Sequence, residues 1–188
     1  DARARRELTV RLLKRTLEIV GAADTVSRVV VVSPDLEVLQ VAVASGAVPL
    51  LEQTAGHNPA LEQARQQIRS TCPTATLLVI AADLPLLTSG DITTLAALTA
   101  DHSLAIAPDR SGQGTNALCF HPADALPFCF GHESFRNHVA AAERQGLAVH
   151  VYRAPGTAFD LDTPADLAEL RQFLSVCPHL GPFPLGAD

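Results

Sequence analysis

At 188 residues, 47% hydrophobic and 18% charged, the chain has the size and composition of one folded domain with a sizeable core. A net charge of −6 argues against a nucleic-acid or anionic-membrane surface, since those partners select basic patches, and leaves a small-molecule ligand as the expected partner. No apolar run approaches the roughly 20 residues of a membrane helix, and Cys72, Cys119, Cys129 and Cys177 form no Cys-x-x-Cys pair and no zinc spacing with histidine, so reduced thiols in a soluble, cytoplasmic protein are expected.

The beginning of the chain alternates charge with apolar positions instead of forming the h-region of a secretory signal. It contains no methionine and opens in Asp1-Ala2-Arg3-Ala4-Arg5-Arg6, which reads as a chain cut at its front. Leu8, Leu12, Leu13, Leu17 and Val20 keep a 3.6-residue period with Arg5, Arg11, Lys14, Arg15 and Glu18 between them, predicting an amphipathic helix that Gly21 ends. Its arginines read as a solvated face before they read as a phosphate site. Arg28 to Val32 is a β-branched strand, Asp35 to about Ser45 a short helix, and Val48 to Leu51 a second strand.

The polar stretch from Gln53 to Asn58 contains Gly56 and leads into a helix over Pro59 to Arg69, with Asn58 as its N-cap. Such a loop is either an ordinary capped helix start or a set of backbone donors for a base or phosphate. Leu77-Leu78-Val79-Ile80-Ala81-Ala82 is apolar enough to be a central parallel strand covered on both faces. It ends abruptly in Asp83-Leu84-Pro85, and Pro85 stops the strand. Asp83 thus stands at the carboxyl end of a strand, where open α/β sheets bind ligands. It reads either as a metal ligand or as the cap of the following turn.

Thr88-Ser89-Gly90-Asp91 starts a helix to about Leu98, and Ser103 to Ala107 is the next strand. Pro108 to Asn116 is turn-rich, with Gly112 and Gly114, and a short strand follows over Ala117 to Phe120. This loop is either a hairpin connection or a cradle for an anionic ligand. Phe130-Gly131-His132-Glu133-Ser134-Phe135 opens a helix with Phe135, Val139 and Ala142 on its apolar side. Ser134 is its expected N-cap or a holder of ligand phosphate, and His132 and His138 are equally consistent with surface residues and with catalysts.

Leu147 to Tyr152 is a further strand. In the extended segment after it, Asp160 and Asp162 point to the same side, because side chains repeat every two residues. Thr163-Pro164-Ala165-Asp166 is a helix-start box, which assigns Thr163 and Asp166 to structure. The Pro- and Gly-rich tail after Leu174 is expected to be loose. Alternating strands and helices with a small β-hairpin insertion predict a single α/β domain over residues 1–174, Rossmann-like, with a mostly parallel central sheet and helices on both faces.

Asp83 at one strand end and Asp160 or Asp162 at another offer hard oxygen ligands suited to Mg²⁺, which takes one or two carboxylates and bridges substrate phosphates. That chemistry serves phosphoryl or nucleotidyl transfer. No Gly-x-x-x-x-Gly-Lys-Ser/Thr loop and no Gly-x-Ser-x-Gly elbow is present, which argues against a P-loop enzyme and a serine hydrolase.

Four segments together carry a resemblance: Ala82-Asp83-Leu84-Pro85-Leu86, Pro108-Asp109-Arg110-Ser111-Gly112-Gln113-Gly114-Thr115-Asn116, Phe130-Gly131-His132-Glu133-Ser134-Phe135 and Phe159-Asp160-Leu161-Asp162-Thr163-Pro164. With them the chain resembles the phospholactate/phosphoenolpyruvate guanylyltransferases of deazaflavin coenzyme biosynthesis, over nearly its whole length to about Leu174. The resemblance implies the nucleotidyltransferase (GT-A-like) fold. It implies attack of the phosphate of 2-phospho-L-lactate or phosphoenolpyruvate on the α-phosphate of GTP, with release of pyrophosphate. It implies Asp83 and Asp160 as the catalytic, Mg²⁺-bearing acids, with Asp162 as a further metal acid. It places Thr115, Gly131 and Ser134 against the phosphoacid, with Gly114 and Asn116 beside them, and Gly56, Asn58 and Ala82 against the nucleotide. His57 and Pro59 stand where the resemblance would have Leu and Ala, and the family's opening strand and triphosphate loop have no counterpart here. A nucleotidyltransferase for a molybdenum-cofactor or sugar-phosphate acceptor, and a non-catalytic nucleotide- or phosphoacid-binding module, are the competing readings. The oligomeric state is open, a homodimer included.

Overall fold

A computed structural model describes residues 2–99, 102–123 and 125–176. It begins with helix α1 (Ala2–Gly21), and then β1 (Val30–Ser33), α2 (Leu36–Ala44), β2 (Val48–Leu51) and α3 (His57–Thr71) alternate. Then come β3 (Leu77–Ile80), α4 (Ser89–Ala97), β4 (Ser103–Pro108), β5 (Thr115–His121), α5 (Ser134–Arg144), β6 (Ala148–Val151), the short α6 (Pro155–Ala158) and α7 (Pro164–Val176). The expected α/β architecture of mixed strands and helices is present.

The pairing differs from the expected mostly parallel sheet. The parallel pair β1–β2 stands by itself, and β3-β5-β4-β6 form a second, mixed sheet. In it β5 runs antiparallel to both β3 and β4, while β4 and β6 are parallel. The hairpin expected as a small insertion is therefore the centre of the sheet: all of β4 and the first six residues of β5 are buried. Conversely, β3 is not the central strand. Among the described residues it pairs with β5 alone, and three of its four residues are only half-buried. An apolar run reports how much water is excluded, not which strands lie alongside, so the same pattern serves an edge strand roofed by a helix. Here the roof is α1, whose Val20 packs with Leu78, Ile80, Leu84 and Leu87.

Several local expectations hold. Leu12, Leu13, Leu17 and Val20 form the buried stripe of α1. Asp35 caps α2 by accepting from Glu37 N–H at 2.8 Å. Thr88 and Asp91 make a reciprocal capping box at α4, and Thr163 and Asp166 do the same before α7. Helix α7 runs on to Val176, so Ser175 and Val176 belong to it rather than to a loose tail, whose remainder lies outside the described residues.

Two expected caps are not caps. Gly56, at φ +122°, precedes α3 and no side chain caps that helix. Asn58 lies inside it and turns its amide to a distant loop. Ser134 is likewise the first residue of α5, behind Glu133 in a left-handed conformation at φ 52°. Both polar side chains have found partners far away in sequence, partly buried backbone for Asn58 and a buried hydroxyl for Ser134, and such bonds displace local capping.

Candidate active site

The carboxyl ends of β3, β4 and β6 and the start of β5 lie at one end of the four-stranded sheet. The ladder between β3 and β5 continues past Ile80, with Ala81 N–H donating to Asn116 O at 2.9 Å, and this brings Asp83 to the level of the loop before Thr115. The chain after α6 returns to the same place, where Leu161 N–H donates to the carbonyl of Asp83 at 3.1 Å. Two acids 77 positions apart, Asp83 and Asp160, are thereby held by one backbone bond beside each other's segment.

The electrostatics of this cluster are unbalanced. Asp83 Oδ1 is buried and has no hydrogen-bond partner among the described residues, which is not how a turn-capping carboxylate sits. Burial pushes the Asp83 carboxyl above its usual range, and the charge of Asp162 adds to the shift. Asp160 is raised as well, first by burial and then by Asp162, Asp83 and Asp109. Asp162 is exposed, and its N–H donates to Asp166. Among the described residues no set of three His, Cys, Asp or Glu side chains is gathered closely enough to enclose a metal ion. Two partly buried acids with an orphaned oxygen fit an ion that completes its shell with water and ligand phosphates.

The loop between β4 and β5 is the hairpin connection, built around Asp109. Its carboxylate accepts from Ser111 Oγ and from Gln113 N–H at 2.9 Å, so donors that looked available to an anion are spent inside the loop. Gly114 packs so closely on this carboxylate that a Cβ there would lie 2.9 Å from Asp109 Oδ2. Asn116 is buried and donates to Thr157 O at 3.1 Å, tying β5 to α6. Arg110 reaches out to Asp166 and Glu169 and lies over the Phe159 ring at 4.2 Å, bracing the start of α7 that follows the second acid.

On the other side of β5, Thr115 and Ser134 meet through a hydroxyl bond of 3.2 Å. Gly131, exposed and at φ +121°, has open space where a side chain would stand. Phe135 N–H donates to Gln113 O at 3.0 Å and locks the start of α5 to the hairpin loop. Asn58 then brings in the third segment: its Nδ2 donates to Phe130 O at 3.0 Å and its Oδ1 accepts from Phe130 N–H at 2.9 Å. The Gly56–Asn58 loop and the Phe130–Gly131 loop are thus one assembly, with the His57 ring edge-on to Phe130. Ala82, exposed, is held through its carbonyl by Thr16 Oγ1 of α1.

Removing the Asn58 amide strands both backbone groups of Phe130. Asn58→Ala is expected to lose about 1–2 kcal/mol of stability and to loosen the Gly56–Asn58 loop from the Phe130–Gly131 loop. Chemical unfolding together with amide hydrogen exchange over the two loops checks this. Unchanged stability would show that water replaces the amide.

Asp109 is not marked as a site-builder by the sequence, and His138, equally a surface residue or a catalyst on sequence grounds, is not at the surface but fully buried, 3.2 Å from Thr115 Oγ1. An Asp followed two residues later by Ser and three by Gly is a turn-forming signature that could have marked the first. His138 lies four residues after Ser134 on the same helix face, a spacing that could have marked the second.

The guanylyl transferase CofC-like family model matches residues 2–174. The chain belongs to that family. It is 43% identical over 167 residues to the phosphoenolpyruvate guanylyltransferase of Sphaerobacter thermophilus, spanning 88% of this chain and 80% of that protein. It is 42% identical over 171 residues to the protein of the same name from Rubrobacter xylanophilus, spanning 90% and 82%. Among solved structures, it resembles 4-diphosphocytidyl-2C-methyl-D-erythritol synthase with a TM-score of 0.62 at 22% identity, covering 87% of this chain and 90% of that one. A cytidylyltransferase from Leptospira borgpetersenii gives a TM-score of 0.60 at 13% identity, covering 90% and 84%. These two likenesses identify the nucleotidyltransferase fold. The family membership makes this CofC-like chain one of the guanylyltransferases, and among its described residues no helix is long and apolar enough to cross a membrane.

Proposed function

We propose that this CofC-like chain transfers GMP from GTP to the phosphate of phosphoenolpyruvate, releasing pyrophosphate, in deazaflavin coenzyme biosynthesis. The observation that supports it best is the convergence at one sheet end of two different half-sites. One is the acid pair Asp83 and Asp160, with its unpartnered oxygen; the other is the hydroxyl pair Thr115 and Ser134 beside the open Gly131.

In this reading the acceptor's phosphate oxygen forms a bond to the α-phosphorus of GTP as the bond from that phosphorus to the β-phosphate bridge breaks. The acceptor is already an anion, so no protein nucleophile is needed. Thr115, Ser134 and the backbone at Gly131 hold the phosphoacid. The Gly56–Asn58 loop lies against the nucleotide, and its bond to Phe130 keeps the two substrates at a set separation. Asp83 and Asp160 would hold Mg²⁺, with Asp162 as a further acid, and the ion would supply charge neutralisation on the α-phosphate and the leaving pyrophosphate. The Leu161–Asp83 backbone bond keeps the two acids in place while charge shifts between the phosphates.

Pyrophosphate release in the presence of Mg²⁺ tests the assignment. It is expected with GTP and phosphoenolpyruvate, and to be much slower with CTP or ATP, or with a sugar phosphate as acceptor. Faster turnover with 2-phospho-L-lactate would reassign the acceptor. Equal release with a sugar phosphate, or none with any pair, would overturn the proposal.

A further inference from the structure

His138 is fully buried, yet its ring is not used in the chemistry above. Three elements meet on it. Nε2 accepts from the backbone N–H of Cys129 at 2.9 Å, in the loop before α5. Nδ1 lies 3.2 Å from Thr115 Oγ1 on β5, and the backbone of Ser134, one turn back along α5, lies close enough to favour the charged ring. Phe130 packs edge-on against it at 4.8 Å. Burial pushes the imidazole down to about 4, against the opposing pull of the Ser134 backbone, so the ring is neutral at physiological pH.

A neutral imidazole has one N–H and one acceptor nitrogen. The Cys129 N–H occupies the acceptor at Nε2, so the proton stands on Nδ1. Nδ1 therefore cannot accept the proton of Thr115. The bond between the Thr115 and Ser134 hydroxyls uses one of their two protons. By this count one O–H of the pair is left over among the described residues, and the pair is tied to the Gly131 turn, since Ser134 N–H donates to Gly131 O at 3.2 Å and no atom lies within 4 Å of where a Gly131 side chain would begin.

We propose that His138 is a positioning residue: with its proton on Nδ1 it fills a lone pair of Thr115 and turns the spare hydroxyl proton of the Thr115–Ser134 pair outward, as a donor set in advance for an oxyanion of the phosphoacid. The identity of that oxyanion rests on the function proposed above. The role of His138 itself rests on the counting of protons.

Two substitutions separate the nitrogens. His138→Asn places an amide N–H where Nδ1–H stood, and His138→Gln places an amide oxygen where Nε2 stood. Calorimetric titration with phosphoenolpyruvate, inorganic phosphate and GTP is run on the parent and both variants, after thermal melting has shown each to be folded. ¹⁵N NMR of the parent at pH 7 reads the tautomer directly. The expected results are a protonated Nδ1, phosphoenolpyruvate affinity within about threefold of the parent for His138→Asn, a loss of about tenfold for His138→Gln, and unchanged GTP affinity in both. Equal losses in the two variants, or loss of GTP affinity in step, would reduce His138 to a packing residue. A proton on Nε2 overturns its role whatever the affinities. A parent that binds neither phosphoenolpyruvate nor phosphate, with Nδ1 protonated, overturns the ligand assignment and with it this use of the hydroxyl.

Discussion

Asp83→Asn is expected to lower guanylyl transfer by about 10²–10³-fold, the size of effect on removing one preorganised charge-stabilising group from an active site, while leaving the fold at least as stable. The two effects have one origin. Asp83 carries a buried oxygen without a partner among the described residues, and its carboxyl is raised by burial and by the charge of Asp162. A neutral amide of the same shape removes that repulsion. A carboxyl raised in the folded state binds more protons there than in the unfolded chain. Its contribution to stability is therefore greatest at acid pH and declines as pH rises from the ordinary aspartate value of about 3.9 through the raised folded value. Stability of the parent should fall over that window, and the fall should be shallower in Asp83→Asn, with Asp160 accounting for what remains. Mg²⁺ should raise the melting temperature of the parent at neutral pH and have little effect on the variant. Activity within tenfold of the parent would remove Asp83 from the chemistry. A destabilised variant would mean that the carboxylate has a structural partner.

Gly156→Ala is expected to cost about 3 kcal/mol, combining overpacking of about 1–3 kcal/mol with damage to buried bonds to a charged acceptor. A Cβ at Gly156 would fall well inside contact distance of Asp91 Oδ2 and 2.9 Å from the carbonyl oxygen of Leu86. Neither can withdraw easily. The Leu86 atom is backbone, and the Asp91 carboxylate is held by Thr88 N–H at 2.8 Å, Thr88 Oγ1 at 2.6 Å and Tyr152 O–H at 2.7 Å. Shifting it undoes the cap of α4 and its tie to the end of β6 together. For a domain of this size the melting temperature should fall by about 6–12 °C. Asp91→Ala in the same background removes one of the colliding groups, so the double variant should lose less than the sum of the single losses. Strict additivity, or a loss under 1 kcal/mol, would show that α6 shifts to make room. Since α6 leads directly into Asp160, a shift large enough to relieve the clash would also register in turnover.

The helix starts at Asp35, Thr88 and Thr163, the stripe of α1 and the placing of an acid at the end of Leu77–Ile80 were determined by the sequence alone. Each depends on contacts at a separation of two to four residues or on a side-chain period, and such contacts form whatever the rest of the chain does. The four segments around Asp83, Gly112, Gly131 and Asp160 were legible as chemistry for the same reason: each is a short run whose residue types are visible without a fold. What the tertiary structure decided is where those runs meet. Whether Leu77–Ile80 lies at the centre or edge of its sheet is a question of neighbouring strands, and hydrophobicity does not encode neighbours. Asn58 and Ser134 are residue types favoured at an N-cap, but Phe130 lies 72 positions from the first and Thr115 19 positions from the second. A partly or fully buried polar group at long range offers a partner for which solvent competes less, so it outweighs the local cap. His138 shows the same physics most plainly. In sequence it is one polar residue on a helix, and only the approach of β5 and the Cys129 loop buries it, sets its tautomer and gives its proton a task.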